Sequence, residues 1–298
     1  MTSKIAVFCG KGGVGKTTLA LAYALRRAAS GRKAVVVSSH PLHELAVAVS
    51  LDGLAARFPE AAKNLFVVHL DPKELLQDLM RRTFPSRMLA DRILDSVIYK
   101  SLVDVAPGLK EFYFLSRLRQ LAERRAAAGG EAPDFELLVW DAPATGHFLS
   151  TLRAAQSFET YLTGPLAAAG ADVARFFSDS EAISILPVTT LEEMAIQECV
   201  EMCRKLKDEF KLAPETVLMN MVSPMATAGA AEFEALAASA GSNPALRFAA
   251  ARGRVERERA AELKSLLAAP ILAIPRIRHG ESDIDLLHRA GESLKERE

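Results

Sequence analysis

Residues 10–18 read GKGGVGKTT, and their types and order suit the holding of a phosphate chain. Gly10, Gly12, Gly13 and Gly15 allow tight turning and close backbone approach. The N–H groups around Val14 can then point together at phosphate oxygens. Lys16 is placed to reach β- and γ-phosphates, and the Thr17 hydroxyl, followed by Thr18, is placed to ligate Mg²⁺. A second group of chemistry-bearing residues, WDAPATGH, occupies residues 140–147. Asp141 follows an apolar run there. A carboxylate at the end of a buried strand beside a phosphate loop serves the water shell of Mg²⁺.

Both groups depend on the elements that carry them. The glycine-lysine pattern is specific only between a strand and a helix. Residues 5–9 form the required β-type run, and residues 16–30 the helix whose N-terminal dipole adds to the site. Further β-type runs lie at 34–38, 65–70, 136–140, 183–188, 216–222 and 271–275. Most are continuously apolar, as parallel strands buried on both faces are. Helical stretches fall between them, at 72–82, 86–102, 110–128, 148–162, 190–212 and 252–267. Strand alternating with helix predicts an α/β, doubly wound, mostly parallel sheet. Two intervals break the rhythm, about 72–130 and 148–180, and read as helical insertions rich in apolar residues. They either pack as extra helices on the core or offer an apolar surface to a partner. AAAGGEAPD, at 126–134, reads as a turn-rich surface connection.

The bulk properties exclude several classes. The chain has 298 residues, with 37 Lys+Arg against 37 Asp+Glu. A neutral balance argues against a nucleic-acid binder or a protein lying on anionic lipid. The basic stretch at 251–264 is interleaved with Glu and reads as a solvated helix face. Cys9, Cys199 and Cys203 cannot form a disulfide framework, and the CxxxC spacing of the last two does not make a zinc site, so no zinc is expected. The first residues lack the apolar core of a signal peptide, and no run of 18 apolar residues occurs. The expectation is a reduced, cytoplasmic protein with no stable membrane insertion.

Lys11 narrows the reading. A lysine directly after the first loop glycine marks the deviant Walker A pattern, and DAPATGH resembles the second switch of the ArsA-type ATPases. That family includes the arsenite-pump ATPase and the ATPase that targets tail-anchored membrane proteins. Asp141, Pro143, Thr145, Gly146 and His147 match the switch in type. PGLKE at 107–111 and PVTTLEEMAIQE at 187–198 resemble family segments in the same order. Asn220 sits where the family has an adenine-recognising Asn, and Pro275 and Ile277 sit where a proline-containing loop flanks the adenine.

The resemblance implies that 1–298 is one P-loop ATPase domain binding ATP or ADP with Mg²⁺. It also implies a nucleotide-switched dimer handling a hydrophobic or membrane-protein client. Lys11 would then reach across the dimer to the partner's phosphates, acting on transition-state charge as an arginine finger does; the alternative is a solvated lysine. One departure stands out. The family's first switch begins with an Asp that positions the attacking water, and here SSHPLH at 38–43 places His40 there. An imidazole near triphosphate charge is driven toward imidazolium, a poor base and a good phosphate clamp. Loss of the base, worth ~10²–10⁴ in rate, implies weak hydrolysis. Glu44, one turn on, is a possible substitute. The alternative to an ATPase homodimer is a hydrolysis-poor subunit paired with an active paralogue.

Overall fold

All seven runs expected to be strands join one sheet. They are β1 (Ile5–Gly10), β2 (Ala34–Ser38), β3 (Leu65–His69), β4 (Leu137–Ala144), β5 (Ile183–Thr189), β6 (Val217–Val222) and β7 (Ile271–Pro275). In this computed structural model their order is β3-β2-β4-β1-β5-β6-β7, with every described pairing parallel. The structure describes residues 5–39, 58–83, 88, 108–123, 135–161, 165–239, 241, 243–277 and 283–294. His40, Pro41, His43 and Glu44 therefore lie outside the described residues, as do the helix expected at 86–102, apart from Met88, and the connection at 126–134.

The helices among the described residues are α1 (Lys16–Ala29), α2 (Pro59–Asn64), α3 (Pro72–Thr83), α4 (Leu109–Ala122), α5 (Thr145–Tyr161), α6 (Pro165–Phe176), α7 (Glu193–Phe210), α8 (Pro224–Thr227), α9 (Ala230–Ser239), α10 (Pro244–Leu266) and α11 (Asp283–Ser293). They cover both faces, which is why the central strands carry continuous apolar runs. On one face α1 and α11 pack Leu19, Leu21 and Leu287 against Phe8 and Val36. On the other, the fully buried Trp140 of β4 is ringed by Phe114 of α4, Phe148 of α5 and Phe177 just after α6, with ring centroids 5.5, 5.4 and 6.2 Å away. The described parts of the two helical intervals are thus fastened to the core through aromatic packing. The large apolar side chains exposed among the described residues are mostly elsewhere. Leu246, Phe248, Val255 and Leu266 stand on α10, and Met194 and Met221 stand near it in the fold's other half. No helix among the described residues is long and apolar enough to cross a membrane.

Among the boundaries that differ from expectation, two have clear local causes. The strand expected at 136–140 runs on to Ala144, because the residues DAPA pair with β1, Gly10 lying opposite Ala144. Helix α10 begins at Pro244, not near 252. Asn243 caps it, its Oδ1 accepting from the N–H groups of Ala245 and Leu246 at 3.0 and 3.4 Å. An Asn-Pro start of this kind is a strong helix signal.

The basic stretch on α10 is not wholly solvated. Glu256 is buried and accepts hydrogen bonds from Ser223 N–H at 2.8 Å and Arg252 Nε at 2.7 Å, tying α10 to the end of β6. Burial pushes its carboxyl up, yet the bonds from Arg252 and Ser223 outweigh burial and hold it below the ordinary value of 4.5. A depressed carboxylate adds stability above its unfolded pKa and loses it as pH falls through its folded one. Glu256→Gln is expected to cost ~1–2 kcal/mol at neutral pH. Urea midpoints of the two proteins should converge as the pH drops below 4.5.

Candidate functional site

The site lies at the carboxyl ends of β1, β2 and β4, where a doubly wound sheet leaves its crevice. Strand β1 delivers the chain into the loop at Gly10, and Gly15 opens α1 in a left-handed conformation with φ 91°. No side chain caps α1 and no acidic residue stands in its first turn. Its first N–H groups and its positive dipole end therefore face the loop, an arrangement suited to an anion. Gly10, Gly13 and Gly15 all have positive φ, whereas Gly12 does not.

Lys16 is only 9% exposed, and its Nζ donates to the Lys11 carbonyl at 2.9 Å. Burial lowers its pKa from the ordinary lysine value, and the nearby Asp141 carboxylate works against that shift. Asp141, 1% exposed, sits within β4 opposite Phe8 of β1 and Ser38 of β2. Its Oδ2 accepts hydrogen bonds from Thr17 Oγ1 at 2.8 Å and Ser38 Oγ at 3.3 Å. The fold thus brings Asp141 to the adjacent Lys16 and Thr17, from 124 positions beyond Thr17. Thr17 and Asp141 present hard oxygen donors side by side, the donor set Mg²⁺ favours. Ser38 is a member of this group that the sequence reading left without a role. Its signal was its place at the end of β2, the strand beside β4.

The other candidates fall around this centre. Val14 is buried and Thr18 half-buried. Asn220, within β6, is buried, and its Nδ2 donates to the Val14 carbonyl at 2.8 Å. In this structure Asn220 braces the phosphate loop. Pro275 ends β7 opposite Val222, and Ile277 follows, half-buried against the cluster around α1. In the DAPATGH stretch Pro143 is buried, while Gly146 and His147 are exposed at the start of α5. Lys11 does not point freely into solvent. Its Nζ lies 3.4 Å from Glu198 Oε1 on α7, a partner the sequence reading did not foresee. Cys9, Cys199 and Cys203 are all buried free thiols. Burial pushes the Cys9 thiol up, and a hydrogen bond with Cys203 does the same first for Cys199, so both are held as unreactive thiols.

A cleft of about 370 Å³ opens on the far side of Met221, lined by Thr190, Phe248, Val255 and Arg276 among others. No phosphate-loop residue lines it. Met221 itself holds a left-handed backbone with φ 57°, uncommon for a residue with a side chain.

Comparison with known proteins places the chain in a family. The profile of the family described as anion-transporting ATPase matches residues 3–167, which include the phosphate loop and Asp141. The chain is 30% identical over 146 residues to the ATPase GET3 of Chaetomium globosum, covering 48% of this chain and 40% of that protein. It is 26% identical over 164 residues to the putative arsenical pump-driving ATPase 2 of Aquifex aeolicus, covering 53% and 52%. It is 26% identical over 168 residues to the ATPase GET3C of Arabidopsis thaliana, covering 52% and 42%. The chain thus spans about half the length, or less, of these curated relatives.

Proposed function

The chain belongs to the anion-transporting ATPase family, and from that premise we propose that it is an ATP-binding, Mg²⁺-dependent switch with weak hydrolysis. The observation that carries this reading is the convergence of Lys16, Thr17 and Asp141 on one loop. Lys16 supplies a desolvated cation for the β/γ-phosphates, and the α1 N–H groups supply fixed donors. Thr17 and Asp141 would hold Mg²⁺, directly or through its water shell. Held there, Mg²⁺ would supply positive charge to offset that of the phosphates.

The switch works on a nucleotide-bridged dimer, with Lys11 directed at phosphate charge and Asn220, Pro275 and Ile277 around the adenine. Its client is a hydrophobic or membrane-protein segment, in keeping with the targeting branch that the switch motif resembles. Weak turnover follows from His40 standing where the family carries the Asp that positions water. The same residue favours a second form of the proposal, in which the chain is a hydrolysis-poor subunit completed by an active paralogue.

The test is ATP titration with and without Mg²⁺, followed by turnover measurement. The protein is expected to bind ATP in a Mg²⁺-dependent way and to hydrolyse it slowly. His40→Asp should raise turnover at saturating ATP ~10²-fold or more. Robust turnover in the wild type, unaltered by His40→Asp, would exclude the hydrolysis-poor reading. Absence of ATP binding would exclude both forms.

A further inference from the structure

Glu198 stands out beside a site built for polyanions, because a carboxylate there repels the ligand. Its position is not accidental to a loose surface. Helix α7, which carries it, is anchored through the buried Ile196, Cys199 and Cys203 against β6. From this fixed base the Glu198 carboxylate meets Lys11 Nζ at 3.4 Å, both side chains being about one-third exposed (37% and 33%). At the same time the Lys11 carbonyl accepts from Lys16 Nζ at 2.9 Å. Lys11 is therefore tethered twice, through its side chain by Glu198 and through its backbone by Lys16. Each tether uses an ammonium group that a triphosphate would draw to itself.

From this double tether we infer that Glu198 is a positioning residue for Lys11, holding its ammonium against α7 until a bound triphosphate competes it away. The inference rests on the nucleotide reading above and adds to it a coupling between filling the loop and freeing its second lysine. When phosphates take Lys16, the backbone tether at Lys11 is released. The remaining Lys11–Glu198 pair is a partly exposed ion pair, weak enough for a polyanion to displace. The coupling acts in the same direction whether Lys11 meets the phosphates of its own loop or those of a partner copy. In the second case dimerisation linked to ATP shifts the apparent affinity by mass action.

The experiment is a double-mutant cycle in apparent ATP affinity, with Mg²⁺, using wild type, Glu198→Gln, Lys11→Met and the double variant. A pair worth up to ~1 kcal/mol predicts that Glu198→Gln tightens ATP binding by about threefold to fivefold when Lys11 is present. In the Lys11→Met background the same change should alter affinity by less than about 1.5-fold, because its route is gone. Both positions are part-exposed, so the variants should fold, and thermal unfolding checks this. An equal gain in both backgrounds would mean that Glu198 acts only as a bulk negative charge, and overturns the inference alone. No gain, or a loss, with Lys11 present overturns it as well. A wild-type protein that binds no ATP overturns the nucleotide reading and the inference together.

Discussion

Lys16→Ala is expected to weaken ATP binding at least about a hundredfold, the largest functional effect of any single substitution in the chain. The lysine contributes charge-assisted hydrogen bonds, each worth ~1.5–3 kcal/mol, and two of them lost give a deficit of roughly 3–6 kcal/mol. Its burial strengthens the case. The side chain is 9% exposed and its charge is partly stripped of water, so it meets a phosphate with little solvent left to displace. Lys16→Arg should not restore binding, since a planar fork does not fit the slot filled by a compact ammonium. Asp141→Asn separates the metal from the phosphates. It keeps the shape of the side chain and its neighbours Thr17 and Ser38, and is expected to remove most of the Mg²⁺ dependence of ATP binding. Calorimetric titration in Mg²⁺ and in chelator reads both effects. Binding by Lys16→Ala as tight as wild type would show that the nucleotide sits elsewhere.

Gly10→Ala should have the largest effect on folding. A Cβ there would lie 2.2 Å from the carbonyl oxygen of Val188 on the neighbouring strand, and the residue's φ is 143°. Neither the strand nor the carbonyl can give way without breaking the pairing of β1 with β5. Backbone strain of ~1–3 kcal/mol therefore adds to a clash, and a total of about 4 kcal/mol or more is expected. Gly15→Ala should also be damaging, because its Cβ would come within 2.4 Å of Asn220 Nδ2, the group that braces Val14. Gly12→Ala is the internal control. Nothing lies within 4 Å of the Cβ position there, so its urea midpoint should stay near that of the wild type. Equal midpoints for Gly10→Ala and wild type would contradict the loop geometry.

Much of this protein was legible in its residues, and the reasons differ by feature. The strands were readable because burial on both faces makes each one a short continuous apolar run. The phosphate loop was readable because its glycines, lysine and threonine act locally, through one turn of backbone. Even the start of α10 is announced by Asn243-Pro244, about two turns ahead of the basic stretch from which a helix is expected. Within the two helical intervals the structure describes α3, α4, α5 and α6. Whether they packed inward or faced a partner was open from composition alone, because apolar content is the same in both cases. The rings of Phe114, Phe148 and Phe177 around Trp140 settle the packing for the described helices.

By itself the sequence determined the fold class, the glycine-lysine pattern of the loop, the carboxylate at position 141 and the histidine at position 40, because each is written in residue type and short-range order. Only the tertiary structure decided which distant groups meet. Ser38 reaches Asp141 across 103 positions, Thr17 reaches it across 124, and Asn220 reaches Val14 across 206. Glu198 comes to Lys11 in the same way. Such pairs are set by parallel strand order and by the helices packed against the sheet. Strand order joins β4 to β1 and β2 but leaves no local mark on any of the residues it brings together.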